Sequence, residues 1–95
     1  MIKLIEIKLN PRTGKYYLQE LLLNPDYIIS VEEEKSVSQD MRLNESKRPL
    51  DLDPRTSVVE VSLYNGKKHN IIGTPEIVLK KVSGYPRNSR NILKD

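Results

Sequence analysis

Side chains capable of acid–base or nucleophilic chemistry are few in this sequence and form no recognisable set. His69 is the only histidine, and a general base or a multi-histidine metal site needs partner groups at a defined spacing. Its place on a polar strand predicts a solvated side chain. No serine lies in a nucleophile-elbow motif, and there is no second histidine to activate one. These residue types predict a protein that is not an enzyme.

Oxygen ligands for a metal ion or a cofactor are also scattered. Glu32, Glu33 and Glu34 are adjacent, so on a strand they alternate between faces and cannot converge. Asp51 and Asp53 share a face if the chain is extended, but they lack the further ligands and the glycine of an EF-hand loop. The four glycines lie far apart, which excludes a phosphate-binding loop. We therefore expect neither a metal nor a cofactor.

Basic residues are the remaining candidates for a binding role. We expect them to mark interaction surfaces at a hairpin tip, in the central polar segment and in the C-terminal tail, at Lys67, Lys68, Arg42, Arg48, Arg87, Arg90 and Lys94. Tyr16, Tyr17 and Tyr64 offer rings on which bases could stack, as in single-strand binders. The acidic residues 32–34 argue against a uniformly positive face. Nucleic-acid binding is therefore the alternative function, and protein binding is the first.

The composition limits the class of protein. A chain of 95 residues supports one domain with one modest core. It has no cysteine, which excludes disulfides and thiolate chemistry. No apolar run approaches the ~20 residues that span a bilayer, and the opening residues alternate charge with apolar side chains, unlike an export signal. We expect a soluble protein of the cytoplasm, or of a particle assembled there, with no membrane partner.

The hydrophobic periodicity predicts a mainly β protein. Alternating or β-favouring runs indicate strands at residues 1–9, 16–23, 27–31 and on both sides of Asn65-Gly66. Thr74 and Pro75 are a capping residue and a first-turn residue for a helix that ends near Gly84. This pattern predicts a small antiparallel curved sheet or open barrel of about five strands with one short C-terminal helix.

The pair Asn65-Gly66 is the clearest local signal. Asn-Gly between two alternating runs is typical of a type I′ hairpin turn, in which both central residues have positive φ. We therefore predict positive φ at both residues. Val59, Val61 and Leu63 alternate with polar residues before the turn, and we expect these three side chains to face the core.

Residues 34–56 are polar, charged and interrupted by proline. Segments of this length without secondary structure are uncommon in compact domains and are either functional or disordered. The sequence leaves both a functional arm and a passive insertion open. The predicted organisation is therefore one β domain at residues 1–84, with a long polar insertion at 34–56 and a basic tail at 85–95.

Three stretches share their order with a known family: residues 1–4 (MIKL), 23–28 (LNPDYI) and 59–68 (VEVSLYNGKK). They resemble the short FlbD/SwrD-type proteins encoded with bacterial flagellar genes. Those proteins are similar in having an opening strand, an L-N-x-x-x-I segment and an apolar strand that runs into N-G-K. The resemblance implies the same strand order and a non-enzymatic protein, and it assigns no functional residue.

Together these features predict a non-enzymatic interaction or structural subunit of a larger assembly, for instance a phage or bacterial particle. The expected partners are other protein chains, including copies of this one. The alternative is a small nucleic-acid-binding module that uses the basic hairpin tip and tail, and its binding would weaken steeply with salt.

Overall fold

The computed structural model describes residues 1–84, which form five strands and two short helices. The elements are β1 (Ile2–Asn10), β2 (Lys15–Leu23), β3 (Ile28–Glu33), α1 (Lys35–Leu43), β4 (Val58–Leu63), β5 (Lys68–Ile72) and α2 (Pro75–Ser83), with single 3-10 turns at Pro25–Tyr27 and Glu45–Lys47. The strands form one antiparallel sheet in the order β2-β1-β5-β4-β3. The predicted mainly β fold is confirmed. The predicted tail, with Arg87, Arg90 and Lys94, lies outside the described residues.

The short connection from β2 to β3 forces this sheet to curl. Leu23 pairs with Ile2 at the start of β1, whereas Ile28 pairs with Leu63 at the end of β4. In a flat sheet the two ends would lie four strand spacings apart, about 19 Å across. The four intervening residues include a 3-10 turn and reach only roughly 13 Å. The strands must therefore tilt and coil into an open barrel.

The strands β2 and β3 consequently behave as two parts of one interrupted strand. Both are antiparallel to their single neighbours, β1 and β4, and they run in the same direction along the coiled sheet. Asn24 begins the interruption, because its side chain accepts a hydrogen bond from the Asp26 backbone at 3.0 Å and Pro25 follows it. Within residues 1–84 no ladder joins β2 to β3, so the barrel is open.

The larger hydrophobic core lies on one face of the curled sheet. Alternate residues of the strands and the inward side of α2 supply its buried side chains: Ile2, Leu4, Leu23, Val59, Val61, Leu63, Ile71 and Val78. The predicted inward set of Val59, Val61 and Leu63 is confirmed. The helix α2 begins as expected, because the Thr74 hydroxyl accepts a hydrogen bond from the Ile77 backbone at 3.2 Å.

A second helix covers part of the opposite face and lies in the segment that we predicted to be a polar insertion. In α1, the Glu34 side chain caps the first turn by accepting a hydrogen bond from the Ser36 backbone at 2.8 Å. Val37 and Met41 lie one turn apart and pack on the sheet, where Val58 is fully buried. Only two apolar residues of this helix, Val37 and Met41, pack on this core, so the segment looks polar in the sequence.

The hairpin between β4 and β5 is present, but the predicted type I′ turn is wrong. Gly66 has φ of 88°, while among the described residues every non-glycine, including Asn65, has negative φ. The Gly66 backbone donates to the Leu63 carbonyl at 2.9 Å, and the Leu63 backbone donates to the Lys67 carbonyl at 2.8 Å. This pattern is a three-residue loop that ends in a left-handed glycine. One left-handed position is therefore needed, where the sequence pattern predicted two.

The turn geometry makes Asn65 and Gly66 respond differently to the same substitution. We expect Gly66→Val to destabilise the protein by about 1–2 kcal/mol, because a β-branched residue is forced into a left-handed conformation. This corresponds to a loss of roughly 4–16 °C in Tm for a domain of this size. Asn65→Val should cost less, because it loses only the hydrogen bond from the Lys67 backbone to the Asn65 side chain. Equal losses in thermal melts of the two variants would contradict this turn.

Candidate interaction surface

Of the basic residues predicted as interaction sites, the four that the structure describes, Arg42, Arg48, Lys67 and Lys68, are not brought together by the fold. Lys67 and Lys68 lie at the tip of the β4–β5 hairpin, next to the end of β4, whereas Arg42 lies near Val58 at its start. A six-residue strand separates these positions by about 17 Å or more. The Lys68 ammonium also lies 3.7 Å from a Glu60 carboxylate oxygen. Lys67 and Lys68 therefore do not share a positive surface with Arg42.

Arg48 is not available as a surface cation in this structure. Its side chain is only 16% exposed, and its nearest carboxylate is Glu45, at 3.6 Å. Its Nε atom is buried and has no hydrogen-bond partner among the described residues. Arg42 borders a depression of about 220 Å³ that also contains Glu33 and Glu34. This volume is below the roughly 300–1,000 Å³ typical of small-molecule sites.

The tyrosines predicted to stack on bases are divided among three environments. The Tyr16 hydroxyl donates to Asp40 at 2.7 Å, so this ring belongs to the packing between β2 and α1. Tyr64 packs edge to face on Tyr27, with ring centroids 4.9 Å apart. Tyr17 is exposed on β2. No continuous stacking surface follows from this arrangement.

A buried carboxylate–imidazole pair joins β1 to β5. Glu6 is buried on the core face, and its Oε2 atom lies 2.7 Å from His69 Nδ1. Gln19 on β2 donates to the other Glu6 oxygen at 3.1 Å. His69, which we predicted to be solvated, has a side chain that is only 20% exposed. Within residues 1–84 no group of three or more histidines, cysteines or acids is placed to hold a metal ion.

This pair could not be recognised from the sequence because it depends on a long-range strand pairing. Glu6 and His69 are separated by 63 residues and meet only when β1 pairs with β5. Gln19, Glu6 and His69 lie on three adjacent strands, β2, β1 and β5. A buried carboxyl group needs partners for its oxygens, and Gln19 and His69 supply them.

The two edges of the sheet differ in how they are protected. The edge strand β3 has six residues, a register shift between Ile28 and Ser30, and charges at Glu32 and Glu33. Short length, bulges and charges are the usual devices that prevent an edge from pairing with another chain. The predicted acidic run thus protects one edge of the sheet.

The edge strand β2 lacks the short length and the register shift of β3. It has nine residues, pairs with β1 in an uninterrupted register, and contains no proline. Only Lys15 and Glu20 are charged. Among the residues that the structure describes, no hydrogen bond reaches its outer backbone groups from residue 16 to residue 23. This edge is a template on which a further strand can pair.

Exposed apolar side chains lie next to the β2 edge, on the face of the sheet that α1 covers only in part. We call them the hairpin strip, after the β1–β2 hairpin. They are Ile5 and Leu9 on β1, and Leu18 and Leu22 on β2. The most exposed of the four is Leu22, at 64%. Exposed apolar groups beside polar ones are typical of interaction surfaces. The sequence shows these leucines, but only the position of α1 reveals that they remain uncovered.

A polar network fixes α1 on the β1–β2 hairpin, beside the hairpin strip. The Tyr16 hydroxyl and the Lys47 ammonium both contact Asp40 Oδ2, at 2.7 and 3.3 Å, and the Asn44 amide donates to Oδ1 at 2.7 Å. Burial, reinforced by the hydrogen bond to Asp40, raises the pKa of Tyr16 to about 12. The hydrogen bond from Tyr16 is the main cause that lowers the pKa of Asp40 below its ordinary value.

These two pKa shifts predict how Tyr16→Phe changes the pH dependence of stability. A tyrosine pKa raised from 10.0 to about 12 stabilises the fold below pH 10, and this contribution is lost as the pH rises toward 12. The lowered Asp40 pKa stabilises the fold above the ordinary range of aspartate, and the contribution is lost on acidification. We expect Tyr16→Phe to be less stable than the original protein at neutral pH, with the difference shrinking at both extremes.

Urea unfolding at a series of pH values measures this difference. Tyr64→Phe is the matched control for the loss of a tyrosine hydroxyl, because Tyr64 is exposed. A Tyr16→Phe difference that stays flat from pH 9 to pH 12 would show that the Tyr16–Asp40 bond does not fix α1 on the sheet.

Comparisons of the chain with known protein families, with curated proteins and with solved structures find no match. The resemblance to FlbD/SwrD-type proteins stays a prediction. In the described part of the chain no helix is both long and apolar enough to cross a membrane.

Proposed function

We propose that this protein is a non-enzymatic interaction subunit that binds another protein chain along β2 and the hairpin strip. The observation that carries this proposal is the unprotected nine-residue edge of β2. A strand that adds to such an edge gains affinity from backbone hydrogen bonds, and its alternate side chains provide specificity. Attachment of a small domain to a larger assembly requires no more than this.

The hairpin strip adds an apolar component to the binding of the edge. Leu18 and Leu22 belong to β2 itself, and Ile5 lies on the neighbouring strand of the same face. A partner strand at the edge would place its own side chains next to these leucines and remove part of their surface from water, at about 25 cal/mol per Å² of apolar area. Backbone pairing and apolar burial would therefore act on the same segment.

Nucleic-acid binding receives less support from the described residues. The Lys67–Lys68 tip and Arg42 lie at opposite ends of β4, and Arg48 is mostly buried. A net charge of +3 is modest for a protein that must neutralise several phosphates. Protein binding is the function that the geometry favours, and nucleic-acid binding becomes an outcome of its test.

Lysine substitutions at two similarly exposed residues, one on β2 and one on β3, test which edge of the sheet binds the partner. Leu22 on β2 is 64% exposed and Ile29 on β3 is 68% exposed, so Leu22→Lys and Ile29→Lys should each change stability by no more than about 0.5 kcal/mol. We expect Leu22→Lys to abolish the chemical cross-linking of the protein to its partner in native extracts. Ile29→Lys should leave the cross-linked species unchanged.

The same variants give the outcomes that contradict the proposal. Equal cross-linking by Leu22→Lys, Ile29→Lys and the original protein would show that β2 is not the binding edge. Binding to single- or double-stranded oligonucleotides at low salt, with affinity that falls steeply as salt rises, would favour the nucleic-acid alternative. Thermal melts of both variants confirm that any loss of binding is not a loss of folding.

A further inference from the structure

We propose that the β2 edge pairs with the β2 edge of a second copy of this chain, antiparallel and about a two-fold axis at Gln19. The two five-stranded sheets then form one continuous ten-stranded sheet. This inference rests on the proposed function, because it names the partner that occupies the same edge.

The length of β2 selects the position of the two-fold axis. In an antiparallel pair related by such an axis, one residue lies opposite its own copy, and residues equally distant from it on either side pair with each other. Gln19 is the middle residue of Lys15–Leu23. Only an axis at Gln19 places every residue of the strand opposite a partner, although the Lys15 N–H already donates to the Thr13 hydroxyl at 3.2 Å.

Two kinds of residue pair formed in this register are favourable. Tyr16 lies opposite Leu22 of the second copy, and Tyr17 lies opposite Leu21, each pair occurring twice, whereas the other pairs, Leu18 with Glu20 and Lys15 with Leu23, each combine an apolar residue with a charged one. Aromatic–aliphatic pairs of this kind stabilise sheets, whereas like charges directly opposite each other destabilise them. An axis at Glu20 would place two glutamates opposite each other, and an axis at Leu18 would shorten the pairing by two residues. Of these three positions for the axis, Gln19 therefore combines the longest pairing with no pair of like charges.

The protection of β3 explains why the pairing stops at two copies. Both outer strands of the ten-stranded sheet would be β3, with its register shift and its charges at Glu32 and Glu33. These features prevent further strand addition. An isologous pairing also uses both β2 edges and leaves neither free. A closed dimer therefore accounts for one open edge and one protected edge on the same chain.

The absence of cysteine from this chain allows a direct test of the register. In Gln19→Cys the two introduced cysteines would lie opposite each other, with Cα atoms about 4.5–5.5 Å apart, within the range that a disulfide bridges. We expect mild oxidation to convert this variant to a covalent dimer. In Leu18→Cys the two cysteines would be offset by two residues, roughly 8 Å apart, which is too far for a disulfide. Ile29→Cys, on β3, is the control for random collision.

Sedimentation equilibrium of the cysteine-free protein tests the association without any substitution on the axis. We expect a monomer–dimer equilibrium, with a dimer of twice the 11.0 kDa chain mass. Leu22→Lys should raise the dissociation constant at least about tenfold, because Leu22 faces Tyr16 of the second copy. Ile29→Lys should leave it unchanged.

Three results would overturn the inference: a monomer at every accessible concentration, oxidation of Gln19→Cys no faster than that of Ile29→Cys, or faster dimer formation by Leu18→Cys. A monomeric protein whose cross-linking in native extracts still depends on Leu22 would leave the proposed function intact with a different chain on the β2 edge. A monomeric protein whose cross-linking is indifferent to Leu22→Lys would contradict both.

Discussion

The rest of the structure depends on the four residues that join β2 to β3. They are too short to cross a flat five-stranded sheet, so the strands must coil until the end of one edge strand meets the start of the other. Coiling brings residues from both edges, such as Leu23 and Ile28, into the same core cluster. Coiling also places β3 beyond the end of β2, so the two strands follow one another and do not pair side by side. The outer side of β2 is left open for this reason.

The strand β4 shows what the curled sheet then requires from the helices. Val58 and Val59 are adjacent and point to opposite faces, yet both are fully buried. Coiling and α2 enclose Val59 on the inner face, but the outer face needs a separate cover, which α1 provides through Met41. Nine helical residues cannot cover the whole outer face. The exposed hairpin strip is therefore the part of the sheet that lies beyond the reach of α1, which the Tyr16–Asp40 bond fixes in place.

The parts of this fold that the sequence predicted are those controlled by neighbouring residues. Strand alternation identified Val59, Val61 and Leu63 as inward, and Thr74 identified the start of α2, because both signals act over a few positions. Contacts across the chain could not be predicted, such as Glu6 with His69 or Asp40 with Tyr16. The helix α1 was missed because most of its residues are polar, and the predicted φ of Asn65 was wrong because hairpin loops of two and three residues share the Asn-Gly signal. The same limit applied to the basic residues, whose separation by β4 is a property of the fold.

The two edges of the sheet differ in protection, and this difference is the structural basis of the proposed function. An open edge of nine residues is a liability in a free protein, since it can pair with any exposed strand. Most of β2 is apolar or aromatic, and a net charge of +3 gives only weak electrostatic protection against association. In the same chain β3 is protected by its short length, its register shift and its charges. This fold therefore does not leave every sheet edge open, and the open edge of β2 needs an explanation of its own. An open edge of this kind is compatible with a stable protein when another strand covers it, and the proposed binding of another chain along β2 would provide that cover.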